Sequence, residues 1–346
     1  MLQKFLASFG KYRNNYTDSN PSMRNLLRWV LTRTAPPKAK PCPLTPNDPA
    51  GLAQNRTQPT LTWIGHSTFL IQVEGLNFIT DPIFTERASP VYFAGPKRIT
   101  PVGLALDKLP PLDVVLISHN HHDHLNEYSV RAILKRQPEN PPLFVVPAGL
   151  GKWFRRRGFP RVVELDWWES VDSESFESLA GLKIHAVPVQ HWSQRTALFV
   201  NHSRWLGFII EGQGGKLFFP GDTGYSQDFA DIHKRFGPVS VALLPIGAYE
   251  PEWFMKPMHT NPEEAAMIHK DLGAKLSVAM HWGTFALTDE PMDEPPQRFR
   301  KAMEAQGATD KDFWIMGHGE TRGLDQVWDS GDFARTKNHI DEDMGA

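Results

Sequence analysis

Four histidines and an aspartate crowd residues 119–124 at the end of Asp113-Val-Val-Leu-Ile-Ser-His119-Asn-His121-His122-Asp123-His124-Leu125. Neutral imidazole nitrogens and carboxylate oxygens are the donors that zinc and similar borderline ions accept. The apolar run 114–118 ahead of them reads as a buried strand, and sheets of α/β proteins bind their ligands beyond the carboxyl ends of strands. Lying two apart in an extended segment, His119 and His121 can reach one ion. Asp123 and His124 can serve a second as the chain turns toward the next helix. His122 is left as a wall residue.

Further donors close other strand runs. Along 182–191, His185 and His191 share a face but lie roughly 20 Å apart, so one ion can take only one of them. His191, among the polar neighbours of Val-Gln-His-Trp-Ser, is the choice, and His185 is read as structural. Asp222 follows 216–220 in Gly-Asp-Thr-Gly, where glycine permits a sharp turn, and is a candidate bridging carboxylate. His281 ends 276–280 in the same manner. His66 and Asp81 also stand at strand ends and are expected to hydrogen-bond a ligand imidazole from behind. Gln190, Trp192 and Arg195 flank His191 as candidate substrate-binding residues, Arg195 through a phosphate. His259 precedes a helix expected at 262–272, whose start is marked by Asn261, Pro262 and Glu264. It could give a proton or hydrogen bond to a leaving oxygen, or it could simply pack. With Cys42 the only cysteine, neither a disulfide framework nor a multi-thiolate site is possible, so nitrogen and oxygen must supply the ligands.

The positioning elements come in two series. Short β-rich runs at 60–64, 68–73, 76–80, 114–118 and 143–146 are joined by helices at 127–135 and 150–157. Runs at 182–190, 196–201, 205–211, 216–220, 239–244, 275–280 and 313–316 follow, with helices at 262–272 and 297–306. Strands in runs that then alternate with helices, twice over, predict an α/β (α+β) chain of two packed sheets with helices outside. Residues 1–57 form an N-terminal extension. In it Met23, Leu26, Leu27, Val30 and Leu31 recur at helical spacing beside Arg24, Arg28 and Arg33. The first reading packs this face on the domain; the second lays it on a membrane surface, with Trp29 at the interface. A catalytic domain is placed at 58–323 and a polar, loosely ordered tail at 324–346.

A chain of 346 residues can bury a sizeable core, and its 37 basic and 39 acidic side chains leave a net charge of -2. That balance gives no general field for nucleic acid, which is not expected as a partner. No apolar run approaches the roughly 20 residues of a membrane-spanning helix, and the first residues make a weak secretory signal. A cytoplasmic protein, with peripheral membrane contact as the variant, is the expectation.

His119-x-His121-x-Asp123-His124 followed by His191, Asp222 and His281 resembles the signature of the metallo-β-lactamase fold, a four-layer αββα sandwich holding two metals between its sheets. The resemblance implies two divalent ions, with zinc expected: one on His119, His121 and His191, the other on Asp123, His124 and His281, with Asp222 bridging. Lacking a usable cysteine ligand, the chain resembles the dinuclear hydrolases of that fold rather than its antibiotic-degrading enzymes. Trp63-Ile-Gly-His66-Ser-Thr, Thr80-Asp81-Pro-Ile-Phe, Ala94-Gly-Pro-Lys-Arg, Leu165-Asp-Trp-Trp-Glu, Pro245-Ile-Gly-Ala-Tyr-Glu-Pro and His281-Trp-Gly-Thr-Phe-Ala-Leu resemble the N-acyl-phosphatidylethanolamine-hydrolysing phospholipase D family, over roughly residues 60–323. This implies a phospholipid substrate, cleaved to an N-acylethanolamine and phosphatidic acid. Asp123 and Asp222 would hold the ion pair at its working spacing and His259 would lie near the substrate. The other readings are the same hydrolase acting on a lactone, a sugar phosphate or another phosphodiester, and a non-catalytic binding protein. The last is disfavoured because all seven ligand positions are filled.

Overall fold

Strand polarity decides which residues can meet. In the computed structural model, which describes residues 8–18, 22–33, 40–196 and 199–329, the chain begins with β1 (Ser8–Phe9), α1 (Met23–Thr32) and α2 (Pro49–Gln54). An antiparallel meander of β2 (Thr60–Gly65), β3 (Thr68–Val73) and β4 (Leu76–Thr80) follows. It is extended in parallel by β5 (Val114–Leu116), α3 (Glu127–Arg136), β6 (Leu143–Pro147), α4 (Gly151–Arg155) and β7 (Val162–Leu165). The second half runs β8 (Ser170–Asp172), β9 (Lys183–Val187), β10 (Gln194–Thr196), β11 (Phe199–Val200), β12 (Gly207–Glu211), β13 (Lys216–Phe219), α5 (Asp228–Phe236) and β14 (Val241–Pro245). It ends with α6 (Glu252–Met255), α7 (Pro262–Asp271), β15 (Leu276–Met280), α8 (Pro295–Ala305), β16 (Phe313–Trp314) and β17 (Thr321–Gly323).

Two seven-stranded sheets result, ordered β17-β2-β3-β4-β5-β6-β7 and β16-β15-β14-β13-β12-β9-β8, with a small third sheet β1-β11-β10. Because β3 is antiparallel to both β2 and β4, and β5 is parallel to β4, the strands β2, β4 and β5 end at one edge. By the same logic, with β12 reversed between β9 and β13, the strands β9, β13, β14 and β15 end together.

The two-residue period of a strand sends alternate side chains to opposite faces. On β5, Val114 and Leu116 enter the core between the sheets, whereas Val115 packs outward with Val130 and Ile133 of α3 and Phe154 of α4. The second sheet is covered by Phe229 and Ile232 of α5, Ala265 and Ile268 of α7, and Phe299 and Met303 of α8. The αββα sandwich is therefore the architecture observed. Strands β3, β4, β14 and β15 are buried along their whole length, as sheets covered on both faces require.

The sequence reading omits β1, α2, β7, β8, α5, α6 and β17. The signals for α5 were present: Asp228 and Asp231 in its first turn, basic residues in its last, and Gly237 at φ 71 closing it. The run 182–190 yields only Lys183–Val187, because Pro188 has no N–H for the ladder. The run 196–201 divides between β10 and β11, and residues 197–198 lie outside the described residues.

Two findings change the view of the chain ends. The aliphatic face of α1 points away from the domain, because Trp29 takes the inward position against Phe254 and donates its indole N–H to Asp289 at 2.6 Å. At the other end, Leu324 and Trp328, assigned above to the tail, lie buried in the core between the sheets, and residues 330–346 are outside the described residues. Among the described residues no helix is long and apolar enough to cross a membrane.

Trp63 links this core to the strand ends. It is fully buried against Phe69 and Trp282, meets the His318 ring edge-on at 4.6 Å, and donates its indole N–H to the His66 carbonyl at 2.9 Å. Trp63→Ala should lower unfolding free energy by about 3–5 kcal/mol in urea titration, through cavity formation and the orphaned carbonyl.

Candidate metal centre

Each strand sharing a direction delivers chemistry from its end. In the first sheet, β2 is followed by His66, β4 by Asp81, and β5 by the segment from His119 to His124. In the second, β9 leads to His191, β13 to Asp222 and β15 to His281. Gly221, at φ 61, brings the second sheet's edge so close to the first that a Cβ there would lie 2.3 Å from that of Ser118. Only glycine suits both that backbone and that approach.

The seven expected ligands come together in two groups. His119 Nε2 lies 2.8 Å from His121 Nδ1, and His191 Nε2 lies 3.3 Å from the same atom. In the other group His124 Nε2 is 3.1 Å from Asp222 Oδ2 and 3.5 Å from Asp123 Oδ2, and His281 Nε2 is 3.0 Å from Asp222 Oδ1. Asp222 stands between the groups, its Oδ2 at 4.0 Å from His119 Nε2 and 3.9 Å from His191 Nε2. Nitrogens held at about 2.0–2.1 Å from a shared cation are spaced in this manner. The atoms also fit a cation by what they lack: His124 Nε2, His281 Nε2 and Asp222 Oδ1 are buried without a hydrogen bond, their close approaches being misaligned for one. Such atoms are costly to bury unless something else takes their lone pairs.

Charge follows the same pattern. Burial pushes His119 and His191 well below the ordinary histidine range and His121 down to about 4, so these imidazoles stay neutral with lone pairs to give. Burial alone would raise Asp222 and Asp123, yet His124 holds both well below the usual carboxylate range, aided by His281 at Asp222 and by His66 at Asp123. Burial likewise opposes a charge on His124, and the carboxylates of Asp222 and Asp123 override it and raise its pKa. One buried and one half-buried carboxylate demand positive charge, and cations would answer the same demand.

A ring of partners orients the donors. Asp81 accepts from His124 Nδ1 at 2.7 Å and from the Ser118 N–H at 2.7 Å, and the Ser118 hydroxyl also bonds His119 Nδ1 at 2.9 Å. His191 Nδ1 donates to the Met258 carbonyl at 2.8 Å. His66 departs from expectation: its Nε2 bonds Asp123 Oδ2 at 3.1 Å rather than an imidazole, because its ring lies against that of His281, 4.0 Å between centroids. His66 thereby joins Asp123, His124 and His281 as a group able to hold an ion directly. His66, Asp81 and His281 all have left-handed backbone, φ 55, 32 and 60. Each such residue costs about 1–3 kcal/mol, and such strain gathers at functional sites.

The remaining candidates occupy different places. His259 Nδ1, buried and without a hydrogen bond, lies 3.8 Å from Asp222 Oδ2. Trp192 sets its ring edge-on to His121, 4.6 Å between centroids. The Gln190 amide is spent on the Pro257 carbonyl at 3.0 Å. Arg195 donates to the carbonyls of Asn120 and Leu125, at 3.2 and 2.7 Å, and so clamps the His-rich segment from both ends. It also lines a groove of about 490 Å³ with His122, Trp153, Arg157 and His202. His185 pairs with Glu211 and Cys42 belongs to none of the groups; burial pushes the Cys42 thiol up to about 12.

Two positioning residues escape the sequence reading. Asn14 accepts from the His191 N–H at 3.1 Å and donates to the His191 carbonyl at 2.9 Å, so the extension braces a candidate ligand. Nothing in residue spacing signals that pairing. His318 bonds Thr284 Oγ1, which accepts the His66 N–H at 2.7 Å. Met-Gly-His318-Gly follows a strand run, and that recurrence could have exposed it.

Residues 76–282 match the β-lactamase superfamily domain, and the chain belongs to that family as a metal-dependent hydrolase of the metallo-β-lactamase fold. Within it the chain is 39% identical over 279 residues to N-acyl-phosphatidylethanolamine-hydrolyzing phospholipase D 1 of Caenorhabditis elegans, covering 78% of this chain and 76% of that one. It is 38% identical over 253 residues to the mitochondrial N-acyl-phosphatidylethanolamine-hydrolyzing phospholipase D of Saccharomyces cerevisiae, covering 72% of this chain and 53% of the other. A metallo hydrolase from the hyperthermophilic archaeon Ignicoccus hospitalis shares the fold, with a TM-score of 0.58 at 23% identity over 77% of this chain and 98% of that one.

His121→Ala and Asp222→Ala should each lose bound metal and activity together while circular dichroism stays native; full metal stoichiometry in both variants would contradict the ligand assignment. Asp81→Asn should weaken metal affinity by about 10–100-fold in chelator competition, since it disturbs His124 from behind.

Proposed function

We propose that the chain is a phospholipase-D-type phosphodiesterase that cleaves N-acyl-phosphatidylethanolamine to an N-acylethanolamine and phosphatidic acid. It would be a cytoplasmic enzyme working at a membrane surface with two divalent ions, zinc first among them. Support for the substrate comes from 39% identity to the worm phospholipase across three quarters of both chains. Support for the reaction class rests on one observation above all: Asp222 standing between two groups of donors.

His119, His121 and His191 would hold one ion and Asp123, His124 and His281 the other, with Asp222 shared between them. A bound pair of this kind lowers the pKa of water to about 7 and offsets the negative charge of a phosphodiester. The chain's own residues do the rest. Asp81, Ser118 and the Met258 carbonyl fix the ligand rings, and Asn14 holds the backbone of His191, so no reorientation is needed as charge develops. His259 is kept neutral by burial, its pKa pushed down to about 4, and carries one N–H for the oxygen of the departing N-acylethanolamine. Trp192, edge-on to His121, packs against the ligand ring.

Purified protein of known metal content should be given N-acyl-phosphatidylethanolamine, phosphatidylethanolamine, phosphatidylcholine and a small bis-ester phosphate. Release of N-acylethanolamine from the first is expected. Turnover of the small ester without lipid hydrolysis would assign the same centre another substrate. His259→Ala should lower kcat by about 10²–10⁴-fold with metal content unchanged, if its N–H serves the leaving group.

A further inference from the structure

We propose that α1 is a docking surface for an anionic phospholipid bilayer. Its residues, Met23–Thr32, include no acid. An α-helix turns about 100° per residue, so Leu27 and Trp29 stand on nearly opposite sides. The Trp29 side fastens the helix: its ring packs on Phe254, its indole N–H donates to Asp289, and Arg33 pairs with the same carboxylate at 3.1 Å. The far side presents Leu27 and Leu31 outward, Leu31 82% exposed, and Leu26 and Val30 continue the exposed strip around the flank. Arg24 and Arg28 border this strip, and Arg28 lies over the ring of the half-exposed Trp253, 4.3 Å from its centroid. Among the described residues neither arginine is paired with an acid.

An amphipathic helix on a globular protein ordinarily turns its aliphatic face inward. Here polar and aromatic anchors hold it the other way. Outward aliphatics edged by arginine and tryptophan suit a helix lying in the interfacial plane of a bilayer, apolar strip among the acyl chains and cations among the phosphates. A second copy of the chain fits the strip less well. A two-fold contact sets the same patch against itself, and the arginines of two copies would approach with no acid on either helix to separate them.

The surface adjoins the candidate metal centre. Trp29 packs in one cluster with Phe254, Met255, Met258 and Trp192. From that cluster the Met258 carbonyl holds His191 and the Trp192 ring meets His121. The inference goes beyond the proposed activity, since adsorption is measured without turnover.

The test is cosedimentation of the full chain with vesicles of phosphatidylcholine alone and of phosphatidylcholine with phosphatidylglycerol. The wild type should bind the anionic vesicles, and less so at high salt. Leu27→Glu/Leu31→Glu should lose about 100-fold in partitioning, and Arg24→Gln/Arg28→Gln about tenfold or more. Metal content and thermal midpoint should be unchanged in both. Absence of wild-type binding, or equal binding by Leu27→Glu/Leu31→Glu, would overturn the proposal. So would wild-type self-association in sedimentation velocity that Leu27→Glu/Leu31→Glu abolishes, without vesicle binding; that result would make the strip a contact between copies.

Discussion

Two ionised carboxylates, Asp222 buried and Asp123 half-buried, sit side by side, and the structure around them is organised by what that demands. Asp222 is buried at 3% exposure and Asp123 lies beside it, sharing His124 and His281 as close neighbours. An isolated buried charge is prohibitively unfavourable, so it must be paired, hydrogen-bonded or bound to a cation. The neighbours are mostly neutral imidazoles with unsatisfied nitrogens, a poor shell for a salt bridge and a good one for metal. The centre is thus better suited to holding cations than to a network of ion pairs alone, and its precision must come from outside it.

That precision comes from strand polarity. β3, β8, β12 and β17, the reversed strands, contribute no ligand, whereas β2, β4, β5, β9, β13 and β15 each supply one or more of the site residues just beyond their last paired residues. Two sheets buried on both faces cannot shift their registers without exposing core residues, so the strand ends are fixed points. Left-handed backbone at His66, Asp81 and His281 turns each side chain from the strand direction into the cleft. The core between the sheets must over-determine that strain, and Trp63, bonded to the His66 carbonyl, is where core and site meet.

The strand-end logic was legible in the residues themselves. His119, His121, Asp123, His124, His191, Asp222 and His281 could each be picked out because a donor follows an apolar run. His185, on the same run as His191, could be set aside by strand length alone. The roles that were not legible depend on pairings across the chain. Whether His66 would bond an imidazole or a carboxylate turned on how its ring meets His281. Gln190 and Arg195 read as substrate-facing because they flank a ligand, but flanking in sequence says little once a strand has ended, and both donate to backbone carbonyls. Asn14 could not be seen at all, since its partner lies 177 residues away.

The same distinction explains α1. Helical periodicity identifies an aliphatic stripe but not the direction it faces, because the pattern is identical whether the stripe meets a core or a bilayer. Orientation is fixed by the opposite face, where one tryptophan and one arginine reach a single carboxylate, Asp289, supplied by a distant loop. The extension is therefore joined to the domain at two kinds of point. Asn14 braces His191 from the backbone side, and α1 rests on the cluster that holds the His191 ring from the other. A segment that reads as an appendage in sequence contributes to the geometry of the centre from both directions, which ties the stability of that ligand to a part of the chain outside the family-matched region.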